Sequence, residues 1–268
     1  MTKVLYFFFM PIITLTSDWG LKDPYLAAVK GTIYSQIPEA LVVDISHQIS
    51  SFDLNQAAFI FRNSWRNFPE GTVHIIGVNT EAAIETPHTV IFYQGHYFIG
   101  ADNGIFSLIF DETPEKIIEL DIIQDSDYFT FSTRDVFVKA AAHIINGGTL
   151  EKLGRYKKGL MQKIPFKPVI DGNLIKGKVI YIDSYENVFT NISESLFNSM
   201  TKGKKFVIQF RSDAYRISKI SKSYKDVVQG EMLALFSTTG LLQIAINQGK
   251  ASSLLGLRID QSILIEIL

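Results

Sequence analysis

The stretch Ile12-Ile13-Thr14-Leu15-Thr16-Ser17-Asp18-Trp19-Gly20-Leu21-Lys22-Asp23-Pro24 reads as a strand that runs into a polar loop and stops where a helix begins. Ile12 to Leu15 is apolar and β-branched, and Tyr25 to Gln36 carries apolar residues at the 3.6 spacing of a helix. A second run, Leu41 to Ile45, completes a strand–helix–strand unit. The rhythm continues with Leu54 to Asn63 as a helix, Val73 to Val78 as a strand, and Val90 to Tyr93 with Tyr97 to Gly100 as a hairpin. Asp135 to Ile145 adds a further helix. Strands this continuously apolar need cover on both faces, which predicts an α/β amino-terminal domain with a largely parallel central sheet. Ligands of such sheets collect in the loops beyond the carboxyl ends of the strands.

Beyond Asp135 to Ile145 the helical periodicity fades. Gly147, Gly148 and a Lys-rich stretch running to Pro165 and Pro168 read as the connection between domains. Short strands follow at close intervals, Gly177 to Ile182, Lys205 to Arg211, Leu233 to Ser237 and Gln243 to Asn247. They predict a smaller all-β, barrel-like carboxy-terminal domain, with residues 1–165 forming the first domain and 166–268 the second.

The 268 residues are 47% hydrophobic and 20% charged, enough apolar mass for two modest cores. With 26 basic against 27 acidic side chains, scattered rather than striped, nucleic acid is not an expected partner. The absence of cysteine removes disulfides, thiolate metal sites and cysteine nucleophiles together. The apolar run Val4 to Leu15 is too short to span a bilayer and is interrupted by Pro11, so no membrane association is expected and the cytoplasm is the expected location. Its aromatic residues Tyr6 to Phe9 read as strand packing or a subunit contact.

Two polar clusters carry chemistry. In the first loop, a carboxylate at a strand end can accept hydrogen bonds from vicinal ribose hydroxyls, and a second can hold an ammonium group, roles open to Asp18 and Asp23. The plainer reading of Asp23 is a helix cap with Pro24 at the first helical position. In Tyr181-Ile182-Asp183-Ser184-Tyr185-Glu186-Asn187, a ring beside an amide suits a purine, Tyr185 stacking on it and Asn187 reading its edge. An ordinary β-turn explains the same residues. The five histidines show no ligand spacing with a carboxylate partner, so no metal is expected, and His143 reads as a packed helix residue.

Taken in order, these clusters resemble the S-adenosylmethionine hydroxide adenosyltransferase family, relatives of the fluorinating and chlorinating adenosyl enzymes. Ser17-Asp18-Trp19-Gly20-Leu21-Lys22-Asp23 is similar to the family's Ser-Asp-x-Gly-x-x-Asp opening, and Val42-Val43-Asp44-Ile45-Ser46-His47 to its second strand. Asp102-Asn103-Gly104, Phe131-Ser132-Thr133-Arg134-Asp135, Ile182 to Asn187 and Gly240 to Asn247 follow in family order. The resemblance implies a homotrimer with ligand sites between neighbouring subunits and no cofactor. It implies hydrolysis of S-adenosylmethionine to adenosine and L-methionine by attack of water at the ribose 5′ carbon. It would give Asp18 the ribose hydroxyls, Asp23 and Asp183 the methionine ammonium, and Phe52 a place beside the ribose and sulfonium. Tyr185 and Asn187 would hold the adenine, helped by backbone near Asn247 and Gln248.

The departures from the family pattern fall on the nucleophile side. The family's hydrolases are associated with an Asp, Arg and His arrangement, and this chain has Asn79, Thr86 and Ser132 at those positions. Asn79 can orient a water but cannot take its proton. Glu81, Glu85 and His88 lie in the altered loop as substitutes or as plain loop residues, and the Thr133 hydroxyl is a weak candidate for holding a small anion. Three expectations therefore stand: a hydrolase with a modified water site, a catalytically silent binder of adenosine or S-adenosylmethionine, and, as a minor alternative, a halide-using adenosyl transferase.

Overall fold

A computed structural model of the chain describes residues 10–124 and 129–268, so the aromatic run Tyr6 to Phe9 lies outside the described residues. The chain divides into two units, Met1–Ile164 and Pro165–Leu268.

The first unit contains β1 (Ile12–Ser17), α1 (Tyr25–Gln36), β2 (Leu41–Ser46), α2 (Leu54–Arg62), β3 (Val73–Gly77), β4 (His88–Tyr93), β5 (His96–Ala101), α3 (Ile105–Ile109), β6 (Lys116–Leu120), α4 (Val138–Ile145) and β7 (Gly154–Tyr156). Its sheet has the order β2-β1-β3-β5-β4-β6-β7. The pairs β1–β2, β1–β3 and β3–β5 are parallel, and the β4 to β7 side is antiparallel. The sheet is therefore mixed around a parallel core. Helices cover both faces. Val29 and Ile33 of α1 and Ala140, Ala141 and Ile144 of α4 pack with Ile13, Leu15 and Ile75 on one side. Ala57, Ala58 and Phe61 of α2 and Ile105, Phe106 and Ile109 of α3 pack with Ile76, Ile91 and Phe98 on the other. Burying one side chain such as Phe61 or Phe98 contributes about 1.5–3 kcal/mol, and this double cover is why β1 reads as a continuous apolar run.

Three local expectations change. Pro24, not Asp23, occupies the cap position of α1, and Asp23 has no hydrogen-bond partner among the described residues. The helix expected from Asp135 starts at Thr133 with a π-helical segment, closed by the Val138 N–H on the Thr133 carbonyl, and continues as α4. The Lys-rich stretch after Gly148 is not all connection. Gly154–Tyr156 forms β7 on β6, and the Lys157 ammonium sits 2.6 Å from the fully buried Asp102 carboxylate, so this segment belongs to the first sheet.

One polar string lies on the α2 side. Thr14 Oγ1 is 2.7 Å from His74 Nδ1, and His74 Nε2 is 3.2 Å from His96 Nδ1. The His74 ring is enclosed by Phe61, Trp65 and Phe98. Burial, reinforced by the charge of a protonated His96, pushes His74 down to about 3, so it is neutral in the fold.

The second unit contains β8 (Val169–Asp171), β9 (Leu174–Ile182), β10 (Val188–Ser193), α5 (Glu194–Thr201), β11 (Phe206–Phe210), β12 (Ser212–Ile217), β13 (Met232–Phe236), β14 (Leu241–Ile246), α6 (Ala251–Leu255) and β15 (Ser262–Ile267). The strand order is β12-β11-β15-β9-β10-β14-β13, with β8 added on β9 and every pair antiparallel. The two ends of that order meet where Ile220 bridges Ala234 of β13, so the sheet is a nearly closed barrel. Among the described residues, no helix of either unit is long and apolar enough to cross a membrane.

Candidate nucleoside and nucleophile sites

Because β1, β2, β3 and β5 run parallel, their carboxyl ends deliver Ser17, Ser46, Gly77 and Ala101 to one edge of the first unit. Asp18 is the first residue past β1 and is half-buried. Its Oδ2 accepts the Phe52 N–H at 2.8 Å, which ties the first loop to the loop before α2. Phe52 takes φ +65° there and exposes 70% of its surface, while Asp53 caps α2 by accepting the N–H groups of Asn55 and Gln56. Asp18 Oδ1 has no partner among the described residues. A carboxylate with one oxygen anchored and the other open is oriented to receive a hydroxyl.

The loop holding Asp18 is fastened by His47. Ser17 Oγ lies 2.6 Å from His47 Nδ1, the Gly20 N–H donates to the His47 carbonyl at 2.7 Å, and Trp19 stacks on the ring at 6.3 Å. His47 Nε2 faces Asp44 Oδ1 at 3.1 Å. Burial opposes ionisation of Asp44, but Lys30, at 2.6 Å, and His47 outweigh it and hold that carboxyl below the usual range. On its other side Trp19 meets the edge of Phe131, over which the Arg134 guanidinium lies at 5.3 Å.

Of the positions expected on the nucleophile side, Asn79 follows the end of β3 and Thr133 packs against it. A side chain added to Gly77 would begin 2.5 Å from the Trp19 ring and 3.2 Å from Thr133 Oγ1. Thr133 is fully buried, and its hydroxyl has no hydrogen-bond partner among the described residues. Ser132 beside it is buried as well. Asn79 is exposed at φ +48°, its carbonyl fixed by Asn103 Nδ2 at 2.8 Å. Thr86 lies apart from these, its N–H on the Ala83 carbonyl and its hydroxyl 3.4 Å from the Glu81 carbonyl. Glu81 and Glu85 are exposed, whereas His88 is half-buried with Nε2 at 2.9 Å from the Thr80 carbonyl.

In the second unit Asp183, Tyr185 and Asn187 share one turn. Asp183 Oδ1 accepts the N–H groups of Tyr185 and Asn187, and its Oδ2 accepts Asn187 Nδ2 at 2.9 Å. The turn roles are thus realised in full, and they leave Asn187 Oδ1 and the Tyr185 ring, 78% exposed, as the open groups. Asn247 has both its backbone N–H and its carbonyl engaged, with Glu231 and Gly230, and its side-chain amide donates to Val227. Of the pair Asn247 and Gln248, only Gln248 keeps open backbone groups among the described residues.

Sequence reasoning passed over four contributors. Trp19, His47 and Gly77 shape the first site, and Glu186 ties the turn of Asp183 to α6, its carboxylate meeting the Ser253 N–H at 2.9 Å and Lys250 at 3.1 Å. Those two contacts hold Glu186 below the usual carboxylate range. The positions of Trp19 between two motif residues and of Glu186 between Tyr185 and Asn187 were the available signals.

Comparison with known proteins agrees across the chain. The model of the SAM hydroxide adenosyltransferase N-terminal domain matches residues 13–154, and that of the C-terminal domain matches residues 177–264. The (R)-S-adenosyl-L-methionine hydrolase of Methanocaldococcus jannaschii is 29% identical over 92% of this chain and 92% of its own length. The protein of the same name from Thermus thermophilus is 28% identical, over 90% and 94%. A crystal structure of an uncharacterized conserved protein from Thermotoga maritima superposes with a TM-score of 0.85 at 28% identity, covering 95% of this chain and 99% of that one. The two matches together span both halves of the fold: the chain belongs to the SAM hydroxide adenosyltransferase family.

Proposed function

We propose that this protein hydrolyses S-adenosylmethionine to adenosine and L-methionine, water attacking the ribose 5′ carbon. The observation that carries the reading is Asp18, a carboxylate anchored through one oxygen by the Phe52 N–H and open at the other, at the edge where ligands of parallel sheets collect. In this reading Asp18 takes the ribose hydroxyls, Phe52 lies beside the ribose and sulfonium, and Asp23 with Asp183 faces the ammonium. Tyr185 stacks on the adenine, Asn187 Oδ1 accepts from its exocyclic amine, and Gln248 adds backbone contacts. The leaving group is a neutral thioether expelled from a sulfonium, so the protein aligns and desolvates the nucleophile, and neither a cofactor nor a leaving-group acid is required. Asn79, Ser132 and Thr133 border the place of that nucleophile, with Thr86 at the rim. The reading includes a homotrimer, checked by light scattering, working in the cytoplasm.

A silent binder of adenosine or S-adenosylmethionine is the second reading, favoured by Asn79, Thr86 and Ser132, none of which can accept a proton at neutral pH. The test is incubation of the purified protein with both sulfonium epimers, since the relatives are named for the (R) form. Adenosine and methionine released at the same rate with and without chloride are expected. Calorimetric adenosine binding without turnover would establish the silent binder, and chloride-dependent chloroadenosine would establish the halide reaction.

A further inference from the structure

Hydrolysis, on the reading just given, forms the C5′–O bond while the C5′–S bond breaks with its electron pair on sulfur. Methionine leaves neutral at sulfur, and one proton of the attacking water must be taken away. Among the five histidines, four are set aside by their place in the fold or by partners at both ring nitrogens. His74 and His96 bond to each other on the α2 side, His143 stands in the last turn of α4, away from Thr133 at the other end of that helix, and His47 has Ser17 2.6 Å from one nitrogen and Asp44 3.1 Å from the other.

His88 differs. It is the first residue of β4, which pairs antiparallel with β5, His88 opposite Ala101, so it stands at the same edge as the carboxyl ends of β3 and β5. Its Nε2 lies 2.9 Å from the Thr80 carbonyl, which can only accept, so Nε2 carries the ring proton and Nδ1 presents a lone pair. Nδ1 has no hydrogen-bond partner among the described residues. The ring stands edge-on to Phe137 at 4.9 Å, four residues along the π-helical segment from Thr133 and its unpartnered hydroxyl, while Thr80 adjoins Asn79.

We infer that His88, through Nδ1, is the base that takes the water proton in this protein. The C5′–O bond forms, the proton passes to Nδ1, and the imidazolium then releases it to solvent. Burial lowers the His88 pKa, only partly opposed by the bond to Thr80, so the ring is neutral at neutral pH. Charged neighbours leave that state alone. Glu81 and Glu85 on its own loop and Glu119 on β6 are exposed, Asp102 beyond Ala101 is held by Lys157, and Arg134 and Asp135 on the π-helical segment pair with each other.

The test uses the full chain and His88→Gln, whose amide can keep the donor to the Thr80 carbonyl but has no basic nitrogen. Turnover of S-adenosylmethionine, adenosine affinity by calorimetry, the unfolding midpoint and the pH profile of kcat are measured on both proteins. Expected are a fall in kcat of about 100-fold or more with adenosine affinity kept, and an acid limb in the wild-type profile, below the ordinary histidine range, that the variant lacks. Wild-type turnover with an undiminished variant would overturn the role of His88 and leave hydrolysis standing. A wild-type protein that binds adenosine without turnover would overturn hydrolysis and the base together. Should the variant not fold, the wild-type profile decides, and a kcat that stays level through that acid range overturns the proposal.

Discussion

Asp18 and Asp183 are both half-buried carboxylates in loops that follow a strand, and the fold treats them oppositely. Asp183 accepts three hydrogen bonds from its own turn, two backbone and one from the Asn187 amide. Asp18 accepts one, from Phe52, 34 residues away. Asp183 builds a turn that displays Tyr185, whereas Asp18 is aimed by the fold and left incomplete. A carboxylate's readiness for a ligand is measured by the hydrogen-bond capacity the protein has not used, since a carboxylate accepts about four bonds. His74 and His88 repeat the contrast, one sealed with both nitrogens engaged and the other with one nitrogen open.

That contrast breaks first at Asp18. Asp18→Ala should lower kcat/KM for S-adenosylmethionine by roughly a thousandfold, about 4 kcal/mol, if two hydroxyls each make a charge-assisted bond, with little change in unfolding free energy. Equal loss for 2′,3′-dideoxyadenosine binding would show that the carboxylate does not read the hydroxyls. The sealed imidazole comes next. His74 is held down to about 3 in the fold, against 6.5 when unfolded, so the unfolded chain binds the extra proton between those values. Its contribution is fully present above 6.5 and is lost as pH falls toward 3, a loss on the order of a few kcal/mol. Denaturant titrations down that range should show a slope that His74→Gln reduces. The smallest effect is expected at Asp183. Asp183→Ala should cost about 2 kcal/mol of stability by releasing three hydrogen-bond donors, and adenosine affinity should fall because Tyr185 loses its support. Unchanged stability would mean that the turn does not depend on its carboxylate.

The elements were legible where one local period decides them. Tyr25–Gln36 is a helix over the limits its spacing predicts, and β4 and β5 form the hairpin expected of their alternation. β7 was not legible, because three residues with two of them exposed carry no pattern. Asp18 stood out as a carboxylate at a strand end, but the Phe52 N–H that anchors it comes from another loop. His88 looked like one of three ionisable groups in an altered loop. The Thr80 carbonyl assigns its tautomer, and its ring contact with Phe137 ties it to the helical segment that begins at Thr133. Such information resides in contacts between segments distant along the chain, which periodicity does not encode.

The missing side chain at Gly77 also sets a limit on redesign. Of the positions proposed for the nucleophile side, Asn79 is exposed and Thr86 half-buried, so substitution there meets little packing. At 77 a single methyl group would displace the Trp19 ring, and with it the stack on His47 that fastens the Asp18 loop. On the proposed reading, any attempt to change what attacks the sulfonium must therefore work around a position where only hydrogen fits, because the Trp19 ring that fills the space also backs the loop of Asp18.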